Sequence, residues 1–173
     1  TSKNKQNINI KIIIMLSKNL EKALNAQVNA EFWSSYFYLS MSVHFADAGL
    51  SGFAKWFRVQ AKEEEEHALK IMDYIVSRGN KVSLQPIAKV TQSWKSPLAA
   101  FEDTLKHEQE VTKMIHDLVV VADEEKDYAT RSMLQWFVDE QVEEEDTARS
   151  LVDALKFIGN EKLGIYMLTK NSV

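Results

Sequence analysis

Residues 53–75 read FAKWFRVQAKEEEEHALKIMDYI, and this stretch decides the fold. Large apolar residues recur in it at the spacing of one helical face, at Phe53, Phe57, Ile71 and Ile75. Glu64 and His67 fall on the same face, and their i,i+3 spacing lets both side chains reach one point. Burying a carboxylate is costly unless it is paired, protonated or bound to a cation. The stretch therefore predicts an amphipathic helix that carries a polar site on its buried face.

Three further segments combine an apolar helical stripe with a carboxylate near its middle. Helical spacing runs through residues 17–48, 97–123 and 127–158. The carboxylates on these stripes are Glu31, Glu108, Glu140 and Glu144. A single carboxylate could fall on an apolar helical stripe by chance. Four helices with carboxylates at matching depth indicate a cation site at the centre of a four-helix bundle.

Helix starts are marked by capping residues. Ser51, Ser96 and Asp127 are the expected N-caps of the second, third and fourth helices. Pro97 follows Ser96 at the first helical position, where its fixed backbone angle is favourable. Gly159 ends the fourth helix, and a short fifth helix is predicted over about 160–170.

The lengths of the connections predict how the helices are arranged. The first and third connections are short, so each joins an antiparallel pair of helices. The middle connection, residues 80–96, can span over ~50 Å when extended, whereas a helix of about 28 residues is ~42 Å long. The sequence thus predicts an all-α four-helix bundle with one long crossover from helix 2 to helix 3.

Composition limits the class of protein and its partners. The 173 residues are 45% hydrophobic and 27% charged, as expected for one globular domain with a real core. A net charge of −4 without a basic stripe argues against nucleic acid as a partner. The absence of cysteine excludes disulfides and thiolate metal sites and fits a cytoplasmic location. No membrane partner is expected, because the apolar run at 12–14 is too short to span a bilayer.

The first 14 residues differ from the rest in composition. Residues 1–14 are rich in lysine and asparagine and end in three isoleucines, whereas Met15 opens a sequence that looks like an ordinary start. We expect residues 1–14 to be an extension from upstream sequence or an expression vector. The alternative is a genuine regulatory or interface tail. Residues 15–173 are expected to form the bundle domain.

The types of ligand narrow the choice of metal. Oxygen-rich ligands with an imidazole suit iron, manganese or zinc better than copper. A carboxylate layer with Glu64-x-x-His67 is the pattern of di-iron carboxylate bundles, which usually contain a second such motif. Here the corresponding place reads Glu144-x-x-Thr147, so only one of two metal positions would receive a histidine. Glu65, Glu66 and Glu145 fall off the stripes and are expected at the surface.

Helix one carries two further signals. Tyr38 lies two turns beyond Glu31 on the same face, so it is either a core tyrosine bonded to a carboxylate or a tyrosine that serves the site. Apolar residues cover almost every direction around the axis over residues 32–41. Because a single core buries only one stripe, a second surface should cover the rest, which predicts a homo-oligomer. His107 is expected to be structural or exposed.

From Met15 onward the chain resembles the bacterial non-haem ferritins. The similarity lies in residues 27–38 (QVNAEFWSSYFY), in residues 63–67 (EEEEH), in Glu108 and in residues 134–144 (LQWFVDEQVEE). The resemblance implies a ferritin-like four-helix bundle and a hollow homo-oligomeric shell, a 24-mer. It further implies ferroxidase activity: Fe(II) is oxidised with dioxygen or hydrogen peroxide and stored as a ferric mineral.

The resemblance also implies roles for individual residues. Glu31, Glu64 and His67 would hold the first iron, and Glu64 would bridge to a second iron held by Glu108 and Glu144. Gln141 would lie on the side where oxygen binds, and Tyr38 matches the site tyrosine of the family. A third iron position would be formed by Glu63, Glu140, Glu143 and Glu144.

Two departures from related ferritins are informative. Haem-binding bacterioferritins have a methionine directly after the first glutamate of Glu-x-x-His, where this chain has Glu65, so no haem is expected. Animal ferritins have acidic residues near the start of helix four, where this chain has Arg131 and Leu134. An acidic threefold channel for iron uptake is therefore in doubt.

Two other classes of protein remain open from the residues alone. A small soluble di-iron oxidase or peroxidase would share the carboxylate layer but store no mineral. A purely structural helical bundle would keep its carboxylates protonated or solvated and bind no metal. The single Glu-x-x-His motif and the apolar first helix favour the storage protein over the oxidase.

Overall fold

The computed structural model describes residues 15–171, which form five helices. They are α1 Lys18–Asp47, α2 Ser51–Ser77, α3 Pro97–Glu124, α4 Tyr128–Ile158 and α5 Lys162–Asn171. Within this part of the chain no β-strand occurs. The predicted all-α fold with a short fifth helix is therefore confirmed. The expectation for residues 1–14 lies outside the described residues.

Side-chain caps begin three of the long helices. Ser17 accepts from the Leu20 backbone N–H at 3.0 Å, Ser96 from Ala99 at 3.1 Å and Asp127 from Thr130 at 3.0 Å. The predicted cap at Ser51 is wrong, because Ser51 is the first residue of α2 and Leu50 precedes it without a side-chain cap. The tight turn after α1 explains the difference, since the Leu50 N–H bonds back to the Phe45 carbonyl at 2.9 Å.

Contacts at one end of the bundle establish the helix directions. The backbone N–H of Leu16 donates to Asn80 Oδ1 at 2.8 Å, which joins the start of α1 to the end of α2. Asn19 Nδ2 donates to Glu125 Oε1 at 3.0 Å, which joins the same start to the end of α3. Because α2 and α3 both end here, they are parallel, and residues 78–96 must cross the length of the bundle. The predicted crossover is confirmed.

Two apolar clusters fill the bundle on either side of a polar layer. Aliphatic side chains dominate the cluster at the α1 start: Leu20, Leu24, Ile71, Ile75, Ile115, Leu118 and Leu134. Aromatic side chains dominate the cluster at the opposite end: Phe37, Tyr38, Phe45, Phe53, Phe57 and Phe101. Burial of these groups supplies the main driving force for folding. The polar residues between the clusters are thus held in rigid, water-poor surroundings.

A half-buried ion pair joins the end of α2 to the start of α4. Arg78 donates to both carboxylate oxygens of Asp127, at 3.0 Å and 2.8 Å. Partial burial raises the pKa of Asp127, but the hydrogen bonds from Arg78 and Thr130 outweigh it and hold the pKa below its usual range. The same carboxylate caps α4. One side chain thus serves as a helix cap and as a tertiary contact.

An Asp127→Ala variant should lose both interactions at once. We expect a loss of about 2–3 kcal/mol in the free energy of unfolding, since a cap alone contributes ~1 kcal/mol and a charged hydrogen bond somewhat more. Asp127→Asn keeps the cap and should lose about half as much. Chemical denaturation measures both values. The control is Asp117→Ala, whose exposed pair with Lys113 should contribute under ~1 kcal/mol; equal losses in Asp117→Ala and Asp127→Ala would contradict the assignment.

The fifth helix packs against the first turn of α2. A Cβ atom on Gly52 would lie 1.8 Å from the Thr169 carbonyl oxygen, so only glycine allows this approach. The same end of the molecule exposes large apolar side chains, including Phe157, which is 94% exposed, and Leu163 and Met167.

The helices of the described region include none that is long and apolar enough to cross a membrane.

Candidate metal centre

Three candidate ligands from α1 and α2 meet in the polar layer. Glu31, Glu64 and His67 are buried, and one ligand atom from each lies within 4.8 Å of the other two. Glu64 Oε2 is 3.4 Å from His67 Nδ1. The helical phase that the sequence shows is the reason: α1 directs Glu31 and α2 directs Glu64 and His67 towards the bundle axis. Two carboxylates and an imidazole at this spacing can hold a divalent cation.

Glu31 has an oxygen atom that lacks an ordinary partner. Gln27 Nε2 donates to Glu31 Oε1 at 2.8 Å. When Glu31 and Glu64 are both ionised, no donor among the described residues reaches Glu31 Oε2, which is fully buried; a proton shared with Glu64 or a cation must satisfy it. An unsatisfied buried acceptor is expensive in a native protein. A cation between Glu31 and its neighbours would supply the missing interaction, so this atom supports a metal site independently of the ligand types.

The α3 and α4 half of the layer is held by hydrogen bonds to Glu108. The hydroxyl group of Tyr38 donates to Glu108 Oε1, and Gln141 Nε2 donates to Glu108 Oε2 at 3.1 Å. Glu144 is also buried, one turn beyond Gln141 on α4. Tyr38 therefore bonds a site carboxylate, in agreement with both interpretations that the sequence allowed for it. The carboxylate of Glu108 is oriented before any cation arrives.

Burial and mutual repulsion raise the pKa values of the site carboxyl groups. Burial is the largest cause for Glu31, Glu64 and Glu108, followed by the Glu64 charge at Glu31 and the Glu108 charge at Glu64. Burial and the charge of Glu108 raise the pKa of Glu144 to about 8. The pKa of Tyr38 also lies well above its usual range, first through burial and then through the Glu108 charge. The raised pKa values favour the protonated carboxyl groups, and a cation would compete with these protons for the same oxygen atoms.

The candidates for a third metal position are more open to solvent. Glu63 is half-buried, and burial raises its pKa, opposed by His67 and assisted by the charge of Glu140. Glu63, His67 and Glu140 line one surface pocket beside α2 and α4. Glu143 is exposed and lines a different groove, between α3 and α4. The structure thus brings Glu63 and Glu140 together, while Glu143 lies apart from their pocket.

His107 is a core residue that adjoins the site. Its Nε2 lies 2.7 Å from Ser34 Oγ, and its ring packs against Trp33 and Phe37. The Ser34 hydroxyl donates to the Ala30 carbonyl, so it accepts the proton of the imidazole. Burial lowers the pKa of His107 to about 4, so the ring is neutral at physiological pH. The structural role predicted for this histidine agrees with these contacts.

Three residues near the site did not stand out in the sequence. Gln27 bonds Glu31, and Thr112 accepts from Gln141 Nε2 at 3.2 Å. Glu145, predicted at the surface, is 22% exposed and accepts from Thr112 Oγ1 at 2.7 Å. Each of the three stands four residues from a candidate site residue, so the i,i+4 spacing could have indicated it. Glu65 and Glu66 are exposed as predicted.

Four helices that close over buried carboxylates, one imidazole and one amide define a carboxylate bundle whose centre could hold a metal ion. The family of ferritin-like domains matches residues 21–158, and the chain belongs to this ferritin family. It is 45% identical over 154 residues to the bacterial non-heme ferritin of Bacteroides fragilis, with 89% of this chain and 96% of that protein covered. The corresponding protein of Staphylococcus haemolyticus is 43% identical over 156 residues, with 90% and 94% covered.

Solved structures give the same result for the fold. An open-pore ferritin from the hyperthermophilic archaeon Archaeoglobus fulgidus superimposes with a TM-score of 0.90. The two sequences are 47% identical, and the match covers 91% of this chain and 97% of the archaeal chain. A four-helix bundle with a short C-terminal helix is thus shown by family, by relatives and by structure.

Proposed function

We propose that the protein stores and detoxifies iron by oxidising Fe(II) at the carboxylate layer and depositing the product as ferric oxyhydroxide. The observation that carries the proposal is the buried cluster of Glu31, Glu64 and His67, in which one carboxylate oxygen has no donor within residues 15–171. Iron is the substrate and cargo of this reaction. Membership of the ferritin family and the similarity to bacterial non-heme ferritins support the choice of iron.

Two Fe(II) ions would bind side by side in the layer. Glu31 and His67 would hold the first ion, Glu108 and Glu144 the second, and Glu64 would bridge the two. The protons held by these carboxyl groups leave as the ions bind, because a cation and a proton compete for the same oxygen atoms. The layer is negative only when deprotonated, so the ions supply the positive charge that makes the ionised form stable in a water-poor core.

The oxidation step transfers one electron from each Fe(II) to the oxidant. With dioxygen, two electrons and two protons give hydrogen peroxide and two Fe(III) ions. Hydrogen peroxide as oxidant takes two electrons and two protons to give two water molecules. The Fe(III) ions then hydrolyse and release protons as they join the mineral. The protein supplies position, ligand charge and a container, while the redox chemistry belongs to iron.

Storage requires a closed container, which we propose to be a shell of 24 identical subunits in the cytoplasm. Large apolar side chains are exposed on α1, where Tyr36 and Val43 are each 51% exposed, and at the α5 end of the molecule. Exposed apolar surface on two sides of a subunit fits contacts with more than one neighbouring copy. The third iron position, at Glu63, Glu140 and Glu144, would lie on the path from the layer to the mineral, and Glu143, which lines a different groove, is left out of it. No haem enters the proposal, because Glu65 occupies the place of the bacterioferritin methionine.

Size-exclusion chromatography after aerobic Fe(II) loading tests the proposal against a small di-iron oxidase. A storage protein should co-elute with far more than two iron atoms per subunit near about 480 kDa, given a subunit mass of 19.9 kDa. About two iron atoms per subunit on a small particle would favour the oxidase instead. Elution of the protein without iron would indicate a structural helical bundle that binds no metal.

His67→Ala and Glu31→Ala variants should separate oxidation from assembly. Each removes a ligand of the first iron position, so rapid Fe(II) oxidation should slow by about 100-fold or more, because loss of a ligand should cost at least as much as loss of an outer-shell partner, which is about 10–100-fold. Absorbance of Fe(III) after rapid mixing measures the rate, and size-exclusion chromatography should show unchanged particles. The control is Glu65→Ala, exposed on the same helix. Wild-type rates in both ligand variants would overturn the assignment.

A further inference from the structure

A chain of polar contacts runs from the surface of α4 to the candidate metal centre. Arg149 Nη2 lies 3.5 Å from Glu145 Oε2, and Glu145 Oε1 accepts from Thr112 Oγ1 at 2.7 Å. Thr112 Oγ1 in turn accepts from Gln141 Nε2 at 3.2 Å. Gln141 Nε2 donates to Glu108 Oε2 at 3.1 Å. The same nitrogen lies 3.2 Å from the Glu108 backbone carbonyl oxygen. The series of contacts thus ends on a carboxylate of the site.

The direction of every hydrogen bond in the chain follows from the donors available. The carboxylate of Glu145 can only accept hydrogen bonds, so the Thr112 hydroxyl group must donate its one proton to Glu145. The hydroxyl oxygen of Thr112 then acts only as an acceptor towards the amide of Gln141. An amide group that must donate to Thr112 and to Glu108 cannot turn its oxygen towards either of them. Glu145 thus keeps the Thr112 hydroxyl in the acceptor role, and Thr112 joins the Glu108 carboxylate and backbone carbonyl in holding the nitrogen end of the Gln141 amide towards Glu108.

From this arrangement we propose that Thr112 and Glu145 are positioning residues that act through Gln141 to orient Glu108 for the second metal position. The proposal rests on the proposed function, because it assumes that Glu108 receives a divalent cation. Terminal amide and carboxylate torsions are soft and have no strong preference of their own. The orientation must therefore come from partners. Within residues 15–171, Thr112 is the one hydrogen-bond partner of the Gln141 amide that does not belong to Glu108.

The surroundings of the chain favour this role over a purely structural one. Glu108 and Gln141 are buried, and Gln141 lines the floor of a groove of about 360 Å³ between α3 and α4 together with Thr112 and Glu145. A single hydrogen bond between partly buried groups adds only about 1 kcal/mol to stability. A bond that fixes a buried amide beside a metal ligand can change metal affinity by 10–100-fold. The contacts therefore matter more to the site than to the fold.

Co(II) titration of the metal-free, assembled protein tests the proposal. Co(II) stands in for Fe(II) and is not oxidised by air, and calorimetry can resolve two binding steps. In Thr112→Val, which keeps the shape of the side chain, we expect the affinity of the second position to fall about 10-fold. The first position should change far less, because the hydrogen bonds from Thr112 and Gln141 lead to Glu108 and not to Glu31 or His67. Thr112→Ser should restore wild-type binding.

Glu145 variants separate hydrogen bonding from charge. Glu145→Ala removes the acceptor for Thr112 and should match Thr112→Val. Glu145→Gln removes the charge but keeps an oxygen acceptor, so its second position should stay within about 3-fold of wild type. Equal losses in the Ala and Gln variants would show a charge effect and overturn the proposal. Thr91→Val, an exposed threonine in the crossover, is the matched control and should bind as wild type.

The remaining outcomes distinguish this proposal from the proposed function. If wild type binds two Co(II) ions and Thr112→Val binds them equally well, the positioning role is wrong and the proposed function stands. If Thr112→Val weakens both positions alike, the change has disturbed the bundle and the positioning role is again wrong. If wild type binds no Co(II), the proposed function itself fails. Thermal unfolding of each variant checks that the bundle is intact.

Discussion

A Glu64→Gln variant should lose rapid Fe(II) oxidation and yet unfold at a higher temperature than wild type when both are metal free. Glu64 would bridge both iron positions, so its replacement should slow oxidation by more than about 100-fold. The same change removes a buried carboxyl group whose pKa burial and the Glu108 charge raise well above its usual range. An amide of equal shape can also donate to the partnerless oxygen of Glu31. We expect a gain of about 2 kcal/mol.

Oxidation is followed by Fe(III) absorbance, and stability by calorimetry of the metal-free protein at neutral pH. Glu66→Gln, an exposed position on the same helix, is the control and should leave both quantities unchanged. Slower oxidation together with higher stability would identify Glu64 as a binding residue, because replacing a residue with a purely structural role would lower the stability of the protein. A Glu64→Gln protein that oxidises iron normally, or that is less stable than wild type, would refute the role given to Glu64.

The metal-free protein should become less stable as the pH rises from about 5 to 9. A carboxyl group of an unfolded chain has a pKa near 4.3, whereas burial and neighbouring charges raise the pKa of Glu144 to about 8 in the folded protein. Above the lower value the unfolded chain releases its proton while the folded protein still holds it. The stability contributed by the raised pKa is therefore full below about 4.3 and is lost by about 8. Glu31, Glu64 and Glu108 shift in the same direction.

Saturating Co(II) should abolish this fall in stability, because the cation takes the place of the protons. The measurement is the unfolding temperature between pH 5 and 9 with and without Co(II). A tenfold change in proton affinity corresponds to about 1.4 kcal/mol, so even part of the shift is measurable. Glu64→Gln should flatten the pH profile of the metal-free protein. An unfolding temperature that rises with pH in the metal-free wild type would contradict the buried, protonated cluster.

Helical periodicity was enough to predict the fold and the inner members of the site. A rotation of 100° per residue places Glu31, Glu64 and His67 on apolar stripes, and the structure brings these three together. The 17-residue connection at 80–96 was long enough to predict the crossover. These features depend on one helix at a time or on chain length, and a single sequence carries that information.

Features that depend on the register between helices could not be predicted in the same way. Glu145 points away from the apolar stripe of α4, yet its long side chain reaches Thr112 on the neighbouring α3. The cap of α2 was misplaced by one residue, because the turn at Leu50 depends on a backbone bond to Phe45. Periodicity gives the direction of a side chain from its own axis, but the partner is decided by how two helices pack.

The long crossover also has a consequence for how the protein folds. It divides the chain into two helical hairpins, and Glu31, Glu64 and His67 belong to the first while Glu108, Gln141 and Glu144 belong to the second. Each hairpin forms from contacts close in sequence, whereas docking of the hairpins requires distant ones and should be slower. The first cation position can exist as soon as one hairpin has formed. A cation shared by both halves forms its last bonds after docking and would slow unfolding far more than it speeds folding.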